Sequence, residues 1–365
     1  MLPEELVRIE PLDARKGVAR ARLRSVVEPS AHRIAAKCPV YLRCGGCQYQ
    51  HAGYACQLEL KQAALCEVLE RIGKIEPPQE IGVISGPEWE YRNRVQLHFE
   101  NGAMGFHASG SHKLVEAAQC PIASPALNRA MQSLQRMSGE RRWPGFLRSL
   151  ELFTNEERFQ VNVLDSGERR LARGFFDWLG ESLPGATEPA IGYAGFRVSH
   201  KSFFQVNRFL FDQLVAAALP TGPVPSAWDL YSGVGLFTLP LARAGVAVTA
   251  VESSSSALAD LEHNARRAGV SATAVKSPVD LWLESQSHAP EFVLADPPRA
   301  GLGKAAVKQL ARLKPRQLTI VSCDPSTLAR DLSGLLAAGY RIESMTMIDL
   351  FPQTSHIETV VRLRV

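Results

Sequence analysis

The sequence has no long uninterrupted hydrophobic run. Its 365 residues are 45% hydrophobic, but no stretch approaches the roughly 18 consecutive apolar residues that a membrane-spanning helix needs. The N-terminal residues MLPEELVRIE also lack the basic region and the following apolar region of a secretory signal peptide. Internal repeats and low-complexity tracts are absent from the sequence as well. We therefore expect a cytoplasmic globular protein without a membrane partner, long enough for two or three domains.

Cysteines are few, and their number is odd. There are seven of them, concentrated in the first third of the chain. In a reducing compartment, such clustering favours a metal centre over disulfides. Cys56 and Cys66 lie in YACQLELKQAALCEVLERIGKI, whose apolar spacing predicts one amphipathic helix. We expect these two cysteines to be packing residues rather than metal ligands.

The chain as a whole has no strong excess of one charge sign, since its formal net charge is only +4. The charges are nevertheless unevenly distributed: between Arg15 and Arg43 there are eight Lys and Arg residues and one acid, Glu28. A basic segment of this kind can neutralise phosphates of a nucleic acid. The arginines in GVARARLRSVVEPS also alternate with small or apolar residues, as on a solvated strand face. Charge alone does not separate these two interpretations.

Two regions of the chain differ in hydrophobic periodicity. From Tyr91 to about Val198, short alternating runs such as VQLHFENGAMGFH and RFQVNVL predict an antiparallel sheet with one or two helices. After Phe204, strand-like runs (AWDLYS, VAVTAVE, FVLAD and LTIVSCD) alternate with helical ones. This alternation predicts a doubly wound α/β domain with a mostly parallel sheet. Ligands of such sheets bind outside the carboxyl ends of the strands.

The segment WDLYSGVGLFTLPLA combines a strand, a Gly-x-Gly turn at Gly233 and Gly235, and the start of a helix. Such a turn lets a ligand approach the backbone closely. The third glycine of the dinucleotide fingerprint is replaced by Thr238, which argues against a pyrophosphate ligand. The next strand ends at Glu252, whose carboxylate is placed to accept hydrogen bonds from two ribose hydroxyls. These features favour S-adenosylmethionine as the cofactor, and other nucleotide-binding α/β domains are the alternative.

Two further strands end next to reactive groups. Asp296 in VLADPPRAG and Cys323 in SCDPS both follow hydrophobic runs, at the edge where a substrate should lie. A helix N-cap or an Asx-turn is the alternative for Asp296, and a buried packing position is the alternative for Cys323. Asp324 adds a negative charge beside the thiol, which we expect to raise the pKa of Cys323.

Five motifs occur in a characteristic order along the chain: SFFQVN, DLYSGVGLFTLPLA, DPPRAGL, VSCDPSTLARD and HIETVVRL. With this set, the sequence resembles the RNA uracil-5-methyltransferases from about Gly17 to the C-terminus. The resemblance implies that Cys323 is the nucleophile that adds to carbon 6 of uracil and that Glu358 is the base that removes the proton from carbon 5. Taken alone, Glu358 would more often be an ordinary exposed strand residue. The resemblance also implies cofactor-binding residues, namely Gln205, Tyr231, Gly233, Gly235, Glu252 and Asp296.

The N-terminal cysteines are similar to the iron–sulfur site of the ribosomal RNA members of this family. They follow the spacing C-x5-C-x2-C in CPVYLRCGGCQYQH, and a distant fourth cysteine lies in AAQCPIAS. The resemblance implies a [4Fe-4S] cluster with four ligands, Cys38, Cys44, Cys47 and Cys120. Four thiolates can equally hold structural zinc, and spacing alone does not separate the two metals.

The resemblance further implies a division of the chain into three parts. Residues 1–37 resemble the second half of a TRAM domain, an oligonucleotide-binding-type barrel. Residues 38–49 and 83–200 are predicted to form an iron–sulfur and RNA-binding central domain, and residues 50–82 and 201–365 the Rossmann-like methyltransferase domain. We expect a monomeric enzyme that acts on 23S rRNA, because the cluster cysteines argue against transfer RNA. The alternatives are a tRNA uracil-5-methyltransferase and a catalytically silent iron–sulfur RNA-binding factor.

Overall fold

The N-terminal segment is a long antiparallel hairpin. A computed structural model describes residues 1–15 and 18–365 of the chain. Its first elements are β1 (Leu6–Arg15) and β2 (Val18–Glu28), which pair with each other. β2 contains the alternating arginines, which are exposed. The predicted strand is therefore confirmed from Val18 onward, whereas Lys16 of the predicted basic segment lies outside the described residues.

A helix follows the cysteine-rich loop, as the apolar spacing predicts. α1 (Tyr54–Val68) continues into a single π-helical turn (Leu69–Gly73). Cys56 is buried in this helix and Cys66 packs against the core of the C-terminal region, so both are packing residues as predicted. A short strand, β3 (Gly82–Ile84), comes next.

The central region is a five-stranded antiparallel sheet with two helices packed against it. Its elements in chain order are β4 (Arg94–Glu100), β5 (Ala103–His107), β6 (Leu114–Glu116), α2 (Pro125–Ser138), β7 (Ser149–Thr154), β8 (Phe159–Asp165) and α3 (Arg173–Ser182). The strand order is β6-β5-β4-β7-β8. Val95, Leu97 and Phe99 alternate along β4 and pack in one apolar cluster with residues of α2 and α3. The antiparallel sheet predicted for this region is therefore present.

The C-terminal region alternates strands and helices around one eight-stranded sheet. Its elements are β9 (Ala190–Tyr193), β10 (Phe196–Ser199), α4 (Phe211–Ala218), β11 (Ser226–Leu230), α5 (Thr238–Arg243), β12 (Ala247–Glu252), α6 (Ser255–Arg267), β13 (Thr273–Lys276), α7 (Val279–Glu284), β14 (Phe292–Ala295), α8 (Gly303–Leu313), β15 (Gln317–Ser322), α9 (Pro325–Ala337), β16 (Arg341–Ile348) and β17 (Glu358–Arg364). The strand order is β13-β12-β11-β14-β15-β17-β16-β3. The first five strands are parallel, and β17 is antiparallel to both of its neighbours. This is the predicted Rossmann-like fold with a mostly parallel sheet.

Helices cover both faces of this sheet. Leu230 and Val293 pack on one face with α7, α8 and α9, while Leu294 and Val321 pack on the other face with α4 and α5. Because both faces are covered, β14 consists of four consecutive buried residues instead of an alternating pattern. Among the described residues, no helix combines the length and the apolar character of a membrane span.

Two short elements pack with the C-terminal region although the sequence predicts much of them in the central domain. β3 crosses the predicted boundary between residues 82 and 83 and pairs with β16. The β9–β10 hairpin packs on α6, where the Ser199 N–H donates to Asp260 Oδ2 at 2.7 Å and the Arg197 N–H donates to Asn264 Oδ1 at 2.7 Å. The packing therefore extends the C-terminal unit beyond the predicted boundaries at these two places.

Candidate active site

The carboxyl ends of four parallel strands bring the predicted residues to one edge of the sheet. In the order β12, β11, β14 and β15, these strands end at or just before Glu252, Tyr231, Asp296 and Cys323. Backbone hydrogen bonds join neighbouring ends: the Ser232 N–H donates to Val251 O at 3.1 Å, and the Asp296 N–H donates to Leu230 O at 3.2 Å. Residues far apart in the sequence thus form one site, as the topology of a doubly wound sheet requires.

Glu358 reaches the same edge from the opposite direction. β17 runs antiparallel to β15, with Thr359 opposite Ser322. Its first residue, Glu358, therefore lies opposite Cys323 when this register is continued by one position. Glu358 is only 5% exposed, so it is not the ordinary exposed strand residue that the sequence alone favours. The predicted nucleophile and the predicted base are neighbours, and their catalytic roles stay predictions.

The Gly-x-Gly turn has a left-handed backbone at three positions. Tyr231, Gly233 and Gly235 have φ angles of 62°, 54° and 96°. A Cβ atom at Gly235 would lie 2.7 Å from Leu239 Cδ1, whereas a Cβ atom at Gly233 would meet no atom within 4 Å. Gly235 is therefore needed for the close packing of the turn on α5. The open space beside Gly233 lets a ligand approach the backbone.

Thr238, which stands in place of the third glycine, supports the strand below the turn. Its hydroxyl donates a short hydrogen bond to the Asp229 carboxyl, and both side chains are fully buried. Burial raises the pKa of Asp229 to about 7. Asp229 Oδ1 has no hydrogen-bond partner within residues 1–15 and 18–365. The substitution that argues against a pyrophosphate ligand thus has a structural role of its own.

Glu252 holds the glycine turn and still has acceptor capacity for a ligand. Its Oε2 accepts a hydrogen bond from the Gly233 N–H at 3.0 Å, and its Oε1 accepts one from the Ser254 N–H at 2.7 Å. Each carboxylate oxygen has two lone pairs, so hydroxyl donors can bind in addition. The buried Ser232 hydroxyl of the same turn has no partner in the described part of the chain. Open space, remaining acceptors and an unpaired hydroxyl fit the ribose of S-adenosylmethionine.

Carboxyl groups surround the Cys323 thiol. Burial, Glu358 and Asp296 raise the pKa of Cys323 to about 11, and Arg299 opposes this shift. Burial and the nearby Asp229 raise the pKa of Asp296 to about 7, while burial and Asp296 raise the pKa of Glu358 well above its ordinary value. Such carboxyl groups are stabilised as anions by a cation, so the site favours a positively charged ligand such as a sulfonium.

Asp324 caps the helix that follows Cys323. Its Oδ1 accepts hydrogen bonds from the Ser326 N–H and the Thr327 N–H, both at 2.9 Å, at the N-terminus of α9. The main causes that raise the pKa of Cys323 are burial, Glu358 and Asp296. The effect of Asp324 on the thiol stays a prediction.

The remaining predicted cofactor residues occupy different surroundings. Tyr231 packs against the apolar cluster that contains Trp228, and burial together with Asp280 raises its pKa to about 12. Gln205 is 7% exposed and lies in the irregular segment between β10 and α4, where its carbonyl accepts a hydrogen bond from Asn93 Nδ2 at 3.0 Å. The contacts of these two residues with a cofactor stay predictions.

All four predicted cluster ligands line one cavity at the edge of the central region. Its volume is about 250 Å³, and its lining includes Cys38, Cys44, Cys47 and Cys120. The cysteine thiols lie close enough to influence one another, because burial and the three other thiols raise the pKa of Cys47 to about 12 despite a hydrogen bond with Gln50. In the described ranges, no group of three or more His, Cys, Asp or Glu side chains closes around a single metal ion.

The cavity is large enough for a group of several atoms. One water molecule takes up about 30 Å³ in the liquid, so the cavity has room for several atoms. Its ligand segments are held in place: the Cys38 N–H donates to Gln50 Oε1 at 3.0 Å, and the Cys120 N–H donates to Asn128 Oδ1 at 2.8 Å. Four thiols around such a space are the donor set of a [4Fe-4S] cluster. The presence of the cluster itself stays a prediction.

Sequence analysis missed the buried polar residues of α1 and the role of one arginine. Gln57 and Lys61 are buried with Leu65 on one stripe of α1, and Lys61 Nζ contacts Asp349 Oδ1 at 2.6 Å, at the start of the loop that leads to Glu358. Two polar residues four apart on an apolar stripe are the signal that could have revealed this contact. The positive charge of Arg299, which lies within DPPRAGL, lowers the pKa of Cys323.

The fold and the edge of its sheet define the class: this protein is an S-adenosylmethionine-dependent methyltransferase. A family model described as tRNA (Uracil-5-)-methyltransferase matches residues 280–365. The 23S rRNA (uracil(1939)-C(5))-methyltransferases RlmD of Aeromonas hydrophila and Pectobacterium atrosepticum are 33% and 32% identical to the chain; the matches cover 98% and 99% of it and 89% and 86% of those proteins.

A solved structure is similar over nearly the whole length. The Pyrococcus abyssi tRNA (uracil-54, C5)-methyltransferase in complex with S-adenosyl-L-homocysteine is 26% identical and superposes with a TM-score of 0.72, covering 98% of this chain and 92% of its own. The chain belongs to the RNA uracil-5-methyltransferase family. The resemblance inferred from the five sequence motifs is thereby confirmed.

Proposed function

We propose that this enzyme methylates carbon 5 of a uridine in 23S rRNA through a covalent adduct with Cys323. The observation that carries the proposal is the position of Cys323 opposite Glu358, at the sheet edge that also holds the glycine turn and Glu252. A thiol and a desolvated carboxyl at one ligand-binding edge supply the nucleophile and the base that this reaction needs.

The chemistry follows from the low reactivity of carbon 5 in uracil. The Cys323 thiolate forms a bond to carbon 6, and the electron pair of the C5–C6 double bond becomes an enolate. Bound S-adenosylmethionine supplies the electrophilic methyl group that carbon 5 takes up. Glu358 then accepts the proton of carbon 5, the C5–C6 double bond re-forms, and the C6–S bond breaks to release the thiolate.

The electrostatics of the site suit these two steps. Burial and Asp296 raise the pKa of Glu358 well above its ordinary value, which makes its carboxylate a stronger base than an exposed one. Arg299 favours the thiolate form of Cys323. The target base has to be unstacked from the RNA to reach the strand edge, because carbon 6 is shielded within a helix.

The RNA class is proposed from the relatives and the cysteines together. Two relatives that span the chain are 23S rRNA methyltransferases, and the four-cysteine cavity accords with the iron–sulfur branch that the sequence resembles. Transfer RNA is the second candidate, since the matching family model and the Pyrococcus structure are described as tRNA enzymes. We further propose that the enzyme acts as a monomer in the cytoplasm.

We propose a [4Fe-4S] cluster in the cavity lined by Cys38, Cys44, Cys47 and Cys120. The four thiols would bind its irons, and structural zinc is the alternative. Iron, sulfide and zinc analysis of anaerobically purified protein, together with its absorption spectrum, distinguishes the two metals. About four irons per chain are expected, and one zinc without iron would contradict the cluster.

Trapping of the adduct tests the proposed reaction. In RNA that contains 5-fluorouridine, the fluorine on carbon 5 cannot leave as a proton, so the adduct persists after methylation. Wild-type enzyme with S-adenosylmethionine and a 23S rRNA fragment should form a complex that survives denaturing electrophoresis, whereas Cys323→Ala should form none. Glu358→Gln should accumulate the adduct even on ordinary uridine RNA.

A parallel reaction with transfer RNA identifies the substrate class. Adduct with the 23S rRNA fragment alone supports the proposal, and adduct with transfer RNA alone replaces the proposed substrate by the second candidate. A wild-type enzyme that forms no adduct with either RNA would contradict the proposed function as a whole.

A further inference from the structure

The segment that presents Glu358 is fixed by contacts from distant parts of the chain. Residues 349–357, which we call the base loop, connect β16 to β17. At its start, Asp349 accepts hydrogen bonds from Lys61 Nζ at 2.6 Å and from the Tyr54 hydroxyl at 2.9 Å. Carbonyls of the base loop accept further hydrogen bonds from two buried side chains, Tyr91 and Asn207.

Gln353, at the centre of the base loop, has a conformation that its neighbours must hold. It has a φ angle of 69° and is 1% exposed, and the left-handed region is unfavourable for a residue with a side chain. Its N–H donates to Gln57 Oε1 at 2.9 Å, and its Oε1 accepts from Gln57 Nε2 at 3.0 Å. Its Nε2 donates to Glu88 Oε2 at 2.9 Å. The position of the base loop thus depends on partners outside it.

Residues 38–49, which carry Cys38, Cys44 and Cys47 and which we call the cysteine segment, supply further partners of the base loop. The carbonyl of Gln353 accepts hydrogen bonds from the N–H groups of Gln48 and Tyr49 at 3.0 and 2.9 Å. Gln48 Oε1 accepts a hydrogen bond from the Ser355 N–H at 3.1 Å, while Gln48 Nε2 donates to Gly45 O at 2.9 Å. Gln48 directly follows Cys47. Its side chain therefore bridges the turn between Cys44 and Cys47 to the residues that precede Glu358.

We propose that Gln48 is a positioning residue that couples the cysteine segment to the base loop. An intact cysteine site then holds Glu358 in place for removal of the carbon 5 proton. This inference rests on the proposed function. Gln48 itself is exposed at the surface, so its replacement tests the coupling without opening a buried cavity.

The coupling should affect removal of the carbon 5 proton and leave formation of the adduct at carbon 6 unaffected. Cys323 follows β15, which is also held by its parallel neighbour β14, so formation of the adduct should continue when the loop shifts. Transfer of the carbon 5 proton to Glu358 should slow, because proton transfer needs hydrogen-bond distance. The methylated adduct should then accumulate, with its C6–S bond intact, as turnover falls.

The test compares Gln48→Ala with Gln48→Glu. The alanine variant loses both side-chain contacts, whereas the glutamate variant keeps an acceptor for the Ser355 N–H. With ordinary uridine RNA, Gln48→Ala should lower kcat roughly tenfold and raise the steady-state fraction of adduct, with KM for RNA unchanged. Gln48→Glu, which keeps the acceptor for Ser355 but loses the donor to Gly45, should lie between wild type and Gln48→Ala. Hydrogen exchange of the peptide 349–358, followed by mass spectrometry without substrate, should be faster in Gln48→Ala than in the other two proteins.

Removal of iron from the wild-type enzyme should also accelerate hydrogen exchange in the peptide 349–358. Unchanged exchange in both the iron-free wild type and Gln48→Ala, or wild-type kcat and adduct levels in Gln48→Ala, would overturn the coupling. Those outcomes leave the proposed function intact, because that function is judged by trapping of the wild-type enzyme on 5-fluorouridine RNA. If Gln48→Ala itself loses iron, hydrogen exchange in the iron-free wild-type enzyme decides whether the cysteine site is coupled to the base loop.

Discussion

Among single residues, Cys323 has the surroundings with the most direct consequence for reactivity. Only the thiolate attacks carbon 6, yet burial, Glu358 and Asp296 raise the pKa of Cys323 to about 11. The substrate-free enzyme therefore keeps its nucleophile almost entirely protonated near neutral pH. A cationic ligand beside Asp296 and Glu358 reverses part of this effect, because it offsets the carboxylates that oppose ionisation. The thiol is thus protected until the site is filled.

This protonation predicts a steep pH dependence for alkylation of Cys323 by iodoacetamide in substrate-free enzyme. Below the pKa the thiolate fraction rises about tenfold per pH unit, so the rate should climb from pH 7 to 10 and level off near 11. Glu358→Gln should accelerate alkylation at pH 8, since it removes a carboxylate that raises this pKa, although it blocks turnover. The Cys323→Ala protein supplies the background of the other cysteines, and a flat profile after its subtraction would contradict the prediction.

Residue positions were predictable where a residue closes or follows a hydrophobic run, whereas hydrogen-bond partners were unpredictable where a side chain had a choice. Cys323 and Glu252 could be placed at strand ends because each directly follows or closes a hydrophobic run. The partners of Asp324 could not be predicted, because the sequence does not say whether a carboxylate beside a thiol faces that thiol or caps the helix that follows. From the sequence, Thr238 could be interpreted only as the residue that replaces a glycine, whereas its contact with Asp229 is visible only in the structure.

Among elements, the strand ends followed from topology but the base loop did not. Alternating strands and helices imply parallel strands whose carboxyl ends share an edge, and this was enough to group Glu252, Asp296 and Cys323. The reversal of β17 carries no local pattern, and the polar residues on the apolar stripe of α1 do not identify their partners in the base loop. Lys61 and Asp349 are 288 residues apart in the sequence, so only the folded chain reveals that they meet.

Removing one partner of the buried ion pair between α1 and the base loop should strongly destabilise the protein. The side chains of Lys61 and Asp349 are at most 1% exposed, and burial lowers the pKa of Lys61. Lys61→Met leaves the Asp349 carboxylate with the Tyr54 hydroxyl as its remaining side-chain donor, and loss of one partner of a buried pair costs about 3–5 kcal/mol. Urea unfolding should therefore show a clearly lower midpoint for Lys61→Met.

A double variant separates the charge effect from lost packing. Lys61→Met combined with Asp349→Leu removes both charges while keeping apolar volume, so it should regain part of the stability lost in the single variant. A double variant less stable than Lys61→Met would instead show that the Asp349 contacts with Tyr54 matter more than the unpaired charge.

Across the whole molecule, basic residues are concentrated on an element that stands apart from the catalytic sheet. The N-terminal hairpin pairs only β1 with β2, and its side chains Arg20, Arg22 and Arg24 are exposed. Glu10 contacts two of these arginines, with an Arg24 Nη2 to Glu10 Oε2 distance of 2.5 Å. From residue 6 to residue 28 the sequence has six Lys and Arg residues against three acids, so the hairpin is net positive, which suits an RNA substrate much larger than the pocket.

Neutralising the hairpin arginines should therefore weaken RNA binding without changing cofactor binding. In a triple variant with Arg20, Arg22 and Arg24 each changed to Gln, affinity for a 23S rRNA fragment should fall. The slope of log K against log salt concentration should decrease by up to roughly 2, because about 0.7 counterions are released per phosphate contact in single strands. Fluorescence anisotropy across a salt series measures both quantities, and calorimetry should show unchanged S-adenosylmethionine binding.

A matched triple variant at Arg243, Arg266 and Arg267, exposed on or near α5 and α6, loses the same charge elsewhere. If both triple variants weaken RNA binding equally, the hairpin is a solvated strand face and the alternating arginines do not contact phosphate.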